Sequence, residues 1–127
     1  MQPVTREWIE KAEGDFRTAM REFRARKKPN YDAACFHAQQ CAEKYMKAFL
    51  QEKGMPVDKT HDLVRLLSLM PTVIGLQAIQ SQLALLSAAA VEFRYPGEQA
   101  SKEVAKESIQ TCTSVREEIR MLVKLPR

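Results

Sequence analysis

Glycine and proline are scarce in this chain, at 4 and 6 of 127 residues. So few chain-reversing residues exclude an architecture of many short strands joined by tight turns and favour long helices. Cysteine is scarce too. Cys35, Cys41 and Cys112 make an odd count with no C-x-x-C pair, which excludes a disulfide framework or a zinc knuckle. Free thiols suit a reducing compartment and predict a cytoplasmic location. Histidine occurs only at positions 37 and 61, a spacing that matches no metal-ligand pattern, so neither a metal nor a cofactor is expected. No run of roughly 18 apolar residues exists to span a membrane. The opening MQPVTREWIEKAEGDF lacks the apolar stretch of a secretory leader, and none is expected. Nucleophile elbow, P-loop, dinucleotide fingerprint and zinc-helix motifs are all missing.

What remains is an ordinary globular composition, 45% hydrophobic and 28% charged, over a length that suits one domain spanning residues 1–127. The net charge of +4 permits an anionic partner without requiring one.

Periodicity supplies the elements. Trp8, Ile9, Ala12, Phe16, Ala19, Met20 and Phe23 predict a first helix, with Thr5 as its N-cap and Glu7 in its first turn. Lys27-Lys28-Pro29-Asn30 ends it. A second helix is expected over about 31–53, with Gly54 closing it and Pro56 beyond. Its apolar arc covers more than half the circumference, which marks it as central. Its polar strip is His37, Gln40, Glu43, Lys44 and Lys47. A short third helix follows Thr60 and stops at Pro71. A fourth is expected as one piece from about Val73 to Phe93, broken by Arg94-Tyr95-Pro96-Gly97, because the residue before proline leaves the helical region. A fifth covers about Ala100–Leu122, with Arg116, Arg120 and Lys124 as a basic row on its side. The fold class is all-α: an antiparallel up-and-down bundle of four long helices plus a short extra one.

Three segments are more polar than a plain bundle needs. His37, Gln40 and Lys44 share one face of the second helix and could donate to a phosphate or base. The structural alternative is a solvated face with His37 held by a carboxylate. In Thr60-His61-Asp62, His61 is a candidate donor or proton carrier oriented by a carboxylate. The alternative is a helix start capped by Thr60. Arg94, at a forced helix break, can present its planar fork to a phosphate, and Tyr95 can stack on a base. The alternative is that Arg94 ties down the turn by bonding carbonyls. Arg17, Arg21, Arg24, Arg26, Lys27 and Lys28 are interleaved with Glu10, Glu13, Asp15 and Glu22, which reads as a mixed-charge solvated helix.

These residues also carry a family resemblance. Tyr31-Asp32-Ala-Ala-Cys-Phe-His37-Ala-Gln39-Gln40-Cys-Ala-Glu43-Lys44-Tyr-Met-Lys47-Ala48 resembles the central helix motif of HEPN domains. His61-Asp62-Leu63 with Leu66-Leu67 is similar to the next signature, and Arg94-Tyr95-Pro96 to the late one. Trp8, Ala12 and Asp15 fit the first helix. The resemblance implies a homodimer with a role beside nucleotides or RNA. It also implies a minimal nucleotidyltransferase as partner, in some cases as a toxin–antitoxin pair. Ribonuclease branches carry an arginine followed, after four to six intervening residues, by a histidine. Here those positions are Gln99, Ala100 and Ser101, and no histidine follows His61. The general acid/base of an RNA-cleaving site is therefore absent from its place. The expected function is a non-catalytic binding module with His37, Gln40, Lys44, His61, Arg94 and Tyr95 at its ligand site. The alternatives are a metal-independent ribonuclease using Arg94, and a structural helical adaptor.

Overall fold

A computed structural model describes residues 1–126. Six helices follow in order: α1 (Pro3–Arg24), α2 (Tyr31–Glu52), α3 (Leu63–Leu69), α4 (Ile74–Gln77), α5 (Gln80–Glu92) and α6 (Lys102–Leu122). There is no strand among the described residues, so the all-helical bundle stands as expected. α1 and α5 run against α2 and α6. One end of the bundle gathers the α1–α2 and α5–α6 turns, which Asp32 joins by accepting the Ala100 N–H at 2.7 Å. At the other end Met1, Glu52, Lys53 and Leu122 line a common hollow.

α2 is the centre, touching α1, α3, α5 and α6. Its Ala34, Cys35, Ala38, Cys41, Ala42 and Ala48 have no exposed surface, and these small side chains let the neighbouring helices close in. The larger Tyr45, Met46 and Leu50 fill the space that remains. Asn30 caps the helix, accepting from Ala33 N. Gly54, at φ +68°, closes it: its N–H reaches Gln51 O while Met55 N–H reaches Leu50 O, a Schellman ending. All three cysteines are buried free thiols. Burial holds Cys35 above the usual thiol range, against a hydrogen bond from Ser108. Cys41 is raised by its bond to Cys112 and then by burial. Both therefore behave as small apolar side chains.

Four expectations about the helices need correction. α1 begins at Pro3, where a missing N–H costs nothing, so Thr5 is not its cap and Glu7 is not in its first turn. Thr5 is buried inside the helix and donates to Glu52 Oε1 at 2.9 Å. Asp62, not Thr60, caps α3 by accepting from Val64 N and Arg65 N, and Thr60 Oγ1 instead takes the Asp62 N–H. The fourth helix is in two pieces: Ile79 leaves helical geometry at φ −111°, ψ 25°. The break turns α4 onto α6 while α5 packs against α2. At the contact, Gly75 lies beneath the Glu118 carboxyl, the flexible end of a side chain that could swing aside for a Cβ. The polar strip of α2 is not solvated along its length, because Glu43 and Lys47 are buried.

α6 ends in the same Schellman geometry as α2, with Lys124 at φ +62° where glycine is favoured. Lys124→Gly is therefore expected to raise stability by up to about 1 kcal/mol, an increase read by chemical denaturation. No gain would mean that the lysine stem makes compensating contacts.

Candidate functional site

The polar residues of α2 meet two carboxylates. Asp15 on α1 lies against the strip; its Oδ1 is 2.8 Å from His37 Nδ1 and its Oδ2 is 2.6 Å from Lys44 Nζ. A carboxylate only accepts, so His37 carries its proton on Nδ1 and keeps Nε2 for other contacts. On the same helix, between His37 and Lys44, the buried Glu43 collects four donors. Its Oε1 takes His61 Nδ1 at 2.9 Å, Gln39 Nε2 at 3.2 Å and Gln40 Nε2 at 3.5 Å; its Oε2 takes Lys47 Nζ at 3.0 Å. Gln39 Nε2 also reaches the His61 carbonyl at 2.8 Å, tying the approach to α3 onto α2. Lys47 sits 5.8 Å from the centre of the Trp8 ring, a cation–π contact. The His61 side chain is 79% exposed although its Nδ1 is anchored to a buried group.

A third carboxylate, Glu13, binds α1 to α6. Arg116 grips it with two 2.7 Å bonds, Tyr45 OH donates to it at 2.8 Å, and Arg120 adds a 3.4 Å contact. Arg120 also donates to Tyr45 OH at 3.0 Å. Burial alone would raise the Glu13 carboxyl, but the bonds and charges of Arg116, Tyr45 and Arg120 hold it below its usual value. Burial pushes the Tyr45 hydroxyl well above its ordinary range, outweighing the bond from Arg120. Bonding to Glu13 likewise raises Arg116, against the opposing effect of burial. The basic row expected on α6 is thus an internal clamp for Arg116 and Arg120. No buried side-chain nitrogen or oxygen among the described residues lacks a partner.

Arg94 and Tyr95 stand apart from both networks, in the turn after α5. Pro96 ends the helix there, and Gly97 at φ +91° supplies a backbone conformation closed to most residues. Together with Asp32 and residues 93–99 they line an open, polar hollow of about 690 Å³. Tyr95 is 62% exposed. The Arg94 side chain has no hydrogen bond or ion pair among the described residues, so it does not tie down the turn. The six candidate residues therefore fall into three groups: His37 with Lys44 on Asp15, Gln40 with His61 on Glu43, and Arg94 with Tyr95 at the turns. No group of three or more metal-ligating side chains occurs among the described residues.

Sequence reasoning did not place Asp15 and Glu43 at the centre of these clusters. The signal was present: Ala12, Asp15 and Ala19 recur at helical spacing on the buried stripe of α1, so Asp15 had to be buried and paired.

With this geometry in view, comparison with known proteins is informative. The HEPN domain family model matches residues 5–122, and the chain belongs to the HEPN family. TT1696 from Thermus thermophilus has a similar fold, with a TM-score of 0.80 at 21% identity over 94% of this chain and 98% of that one. ST0689, an archaeal HEPN homologue, superposes with a TM-score of 0.76 at 23% identity over 97% and 99%. No curated protein matches.

The Glu13 clamp sets a pH dependence. A carboxyl held below its usual value of 4.5 stabilises the fold above that pH, and the contribution is lost as the pH falls through the folded value. A tyrosine raised above 10 contributes fully below pH 10 and loses that contribution as the pH climbs toward its folded value. Glu13→Gln should cost about 2 kcal/mol at neutral pH and flatten the acid limb of a denaturation series. An unchanged acid limb would assign that limb to other carboxylates.

Proposed function

We propose that this chain is a non-catalytic HEPN module that binds nucleotide or RNA, forms a homodimer and partners a minimal nucleotidyltransferase in a toxin–antitoxin-like pair. The observation that carries this reading is the separation of the charged groups. Arg94 lies free at an open polar hollow with Tyr95 beside it, while no imidazole lines that hollow. Both histidines are committed through Nδ1 to carboxylates on or against α2. An arginine alone stabilises phosphate charge but is a poor proton shuttle, which favours binding over cleavage. In this reading Arg94 contacts phosphate and Tyr95 stacks. His37, Gln40, Lys44 and His61 offer a ligand only the atoms their carboxylates leave free.

The test compares wild type with Arg94→Ala for binding of ATP and of a short RNA, with RNA integrity followed in parallel. Affinity should fall about tenfold or more at unchanged thermal stability, the value of lost charge-assisted bonds. Neither protein should degrade RNA. Cleavage by wild type that disappears in Arg94→Ala would make the module a ribonuclease instead. Absence of binding to nucleotide, RNA and nucleotidyltransferase would leave a structural adaptor.

A second observation supports self-association. α5 carries no charge from Gln80 to Val91 and is apolar around its circumference, yet Leu85 is 66% and Val91 54% exposed. Beside Leu85 runs a groove of about 530 Å³ between α5 and α6. A ridge and a groove whose lining carries a single charge, Glu107, suit an isologous two-fold contact. Leu85→Glu is expected to convert a dimer to a monomer in sedimentation analysis; a dimer that survives would move the seam to another face.

A further inference from the structure

His61 Nδ1 lies 2.9 Å from Glu43 Oε1, and its Nε2 has no hydrogen-bond partner among the described residues. Because a carboxylate only accepts, the neutral ring carries its proton on Nδ1 and its lone pair on Nε2. The side chain is 79% exposed, against 30% for His37, so the free nitrogen belongs to a ring that reagents can reach. The carboxylate behind it is held in place: Glu43 is buried, with Lys47 at 3.0 Å and Gln39 at 3.2 Å. The backbone is pinned as well. The His61 carbonyl accepts from Gln39 Nε2 at 2.8 Å, and the Leu63 N–H donates to Ser87 Oγ of α5 at 3.0 Å. Ring and chain are thus set in one position before any reagent arrives. No hydroxyl or thiol bonds to Nε2, so the ring is not the base for a neighbouring nucleophile; its own lone pair is the reactive group.

We propose that His61 Nε2 is a phosphoryl-acceptor site, modified by donors of the N–P class such as phosphoramidate, with Glu43 as its positioning residue. The site draws on neither Arg94 nor Tyr95 and stands or falls apart from nucleotide binding. In the transfer, Nε2 attacks phosphorus as the donor's N–P bond breaks. The electron pair of that bond leaves with the nitrogen, which enters protonated and departs as neutral ammonia. Nδ1 keeps its proton, nothing is oxidised or reduced, and the ring becomes an imidazolium that carries the phosphoryl group on Nε2. The positive charge of that ring forms against the Glu43 carboxylate, a fixed and buried anion already aimed at Nδ1–H. An N–P donor also brings the proton of its own leaving group, so the site needs no general acid; a phosphate ester would need one.

The experiment incubates the full chain with potassium phosphoramidate at neutral pH. Intact-protein and peptide mass spectrometry follow the phosphoryl group, with N-acetylhistidine labelled under the same conditions. The adduct should be lost in acid and kept in alkali, as N–P bonds are. His61 should label about tenfold faster than N-acetylhistidine, which has no carboxylate, and than His37, which is less exposed. His61→Ala should remove the fast-labelling site at unchanged thermal stability. Glu43→Gln keeps an oxygen for Nδ1–H but not the charge. It should slow His61 to the rate of N-acetylhistidine while His37 labels as before. Glu43→Gln leaves Lys47 unpaired inside the bundle, so Glu43→Gln combined with Lys47→Met takes its place if the single variant fails to fold. The wild-type comparison needs no variant. The proposal is overturned if His61 labels no faster than N-acetylhistidine, if the phosphoryl group settles on another residue, or if a folded Glu43 variant labels His61 at the wild-type rate.

Discussion

A carboxylate cannot leave water alone: unpaired, its burial costs several kcal/mol or forces it to take up a proton. Three carboxylates meet this constraint around α2, and the packing of α1, α2 and α6 follows from how each is neutralised. Glu43, 4% exposed, sits inside α2's own contact surface and draws Lys47, two glutamine amides and His61 onto itself. Asp15 holds α1 to α2 through His37 and Lys44. Glu13 holds α1 to α6 through Arg116, with Tyr45 of α2 closing the cluster. Apolar side chains tolerate small slides of one helix past another; a bidentate arginine–carboxylate pair does not. These pairs therefore give the bundle its register more than its net stability, which comes from the alanine-rich contact of α2 with its neighbours.

The same constraint sorts the polar residues by role. A histidine whose Nδ1 is occupied by a buried acid is oriented and keeps only Nε2 for a partner. Lys44 and Lys47 are committed in the same way. The cations left without an ion pair among the described residues include Arg94 and Lys28 on the α5–α6 and α1–α2 turns, where Asp32 and Glu98 also line the surface. There the chain is exposed and the backbone is set by Pro96, Gly97 and a lysine at positive φ. The histidine that ribonuclease branches place after the arginine is absent from this sequence, and neither of the two histidines lines the Arg94 hollow.

Much of the architecture could be read from the chain alone. The stripe from Trp8 to Phe23, the broad arc of α2, Gly54 and the Arg-Tyr-Pro-Gly break each act through local geometry, so each was visible in residue type and spacing. The all-helical bundle and the central place of α2 followed from them, while the HEPN resemblance rested on the motifs at Tyr31–Ala48, His61-Asp62-Leu63 and Arg94-Tyr95-Pro96. Other features were not local. Glu43 and Lys47 have the spacing of a solvated i, i+4 pair, and only the arrival of α1 and the segment before α3 turns that pair inward. The break at Ile79 has no strong sequence marker; it coincides with a change of packing partner, α4 lying on α6 and α5 on α2. Of the acids interleaved with the basic residues of α1, only the tertiary structure shows that Glu13 and Asp15 face the core. By itself, the sequence determined where helices form and which faces are apolar, since propensity, capping and periodicity act within a few residues. The tertiary structure alone decided which charges are cancelled and which remain free, because that depends on side chains brought together from 20 to 100 positions apart.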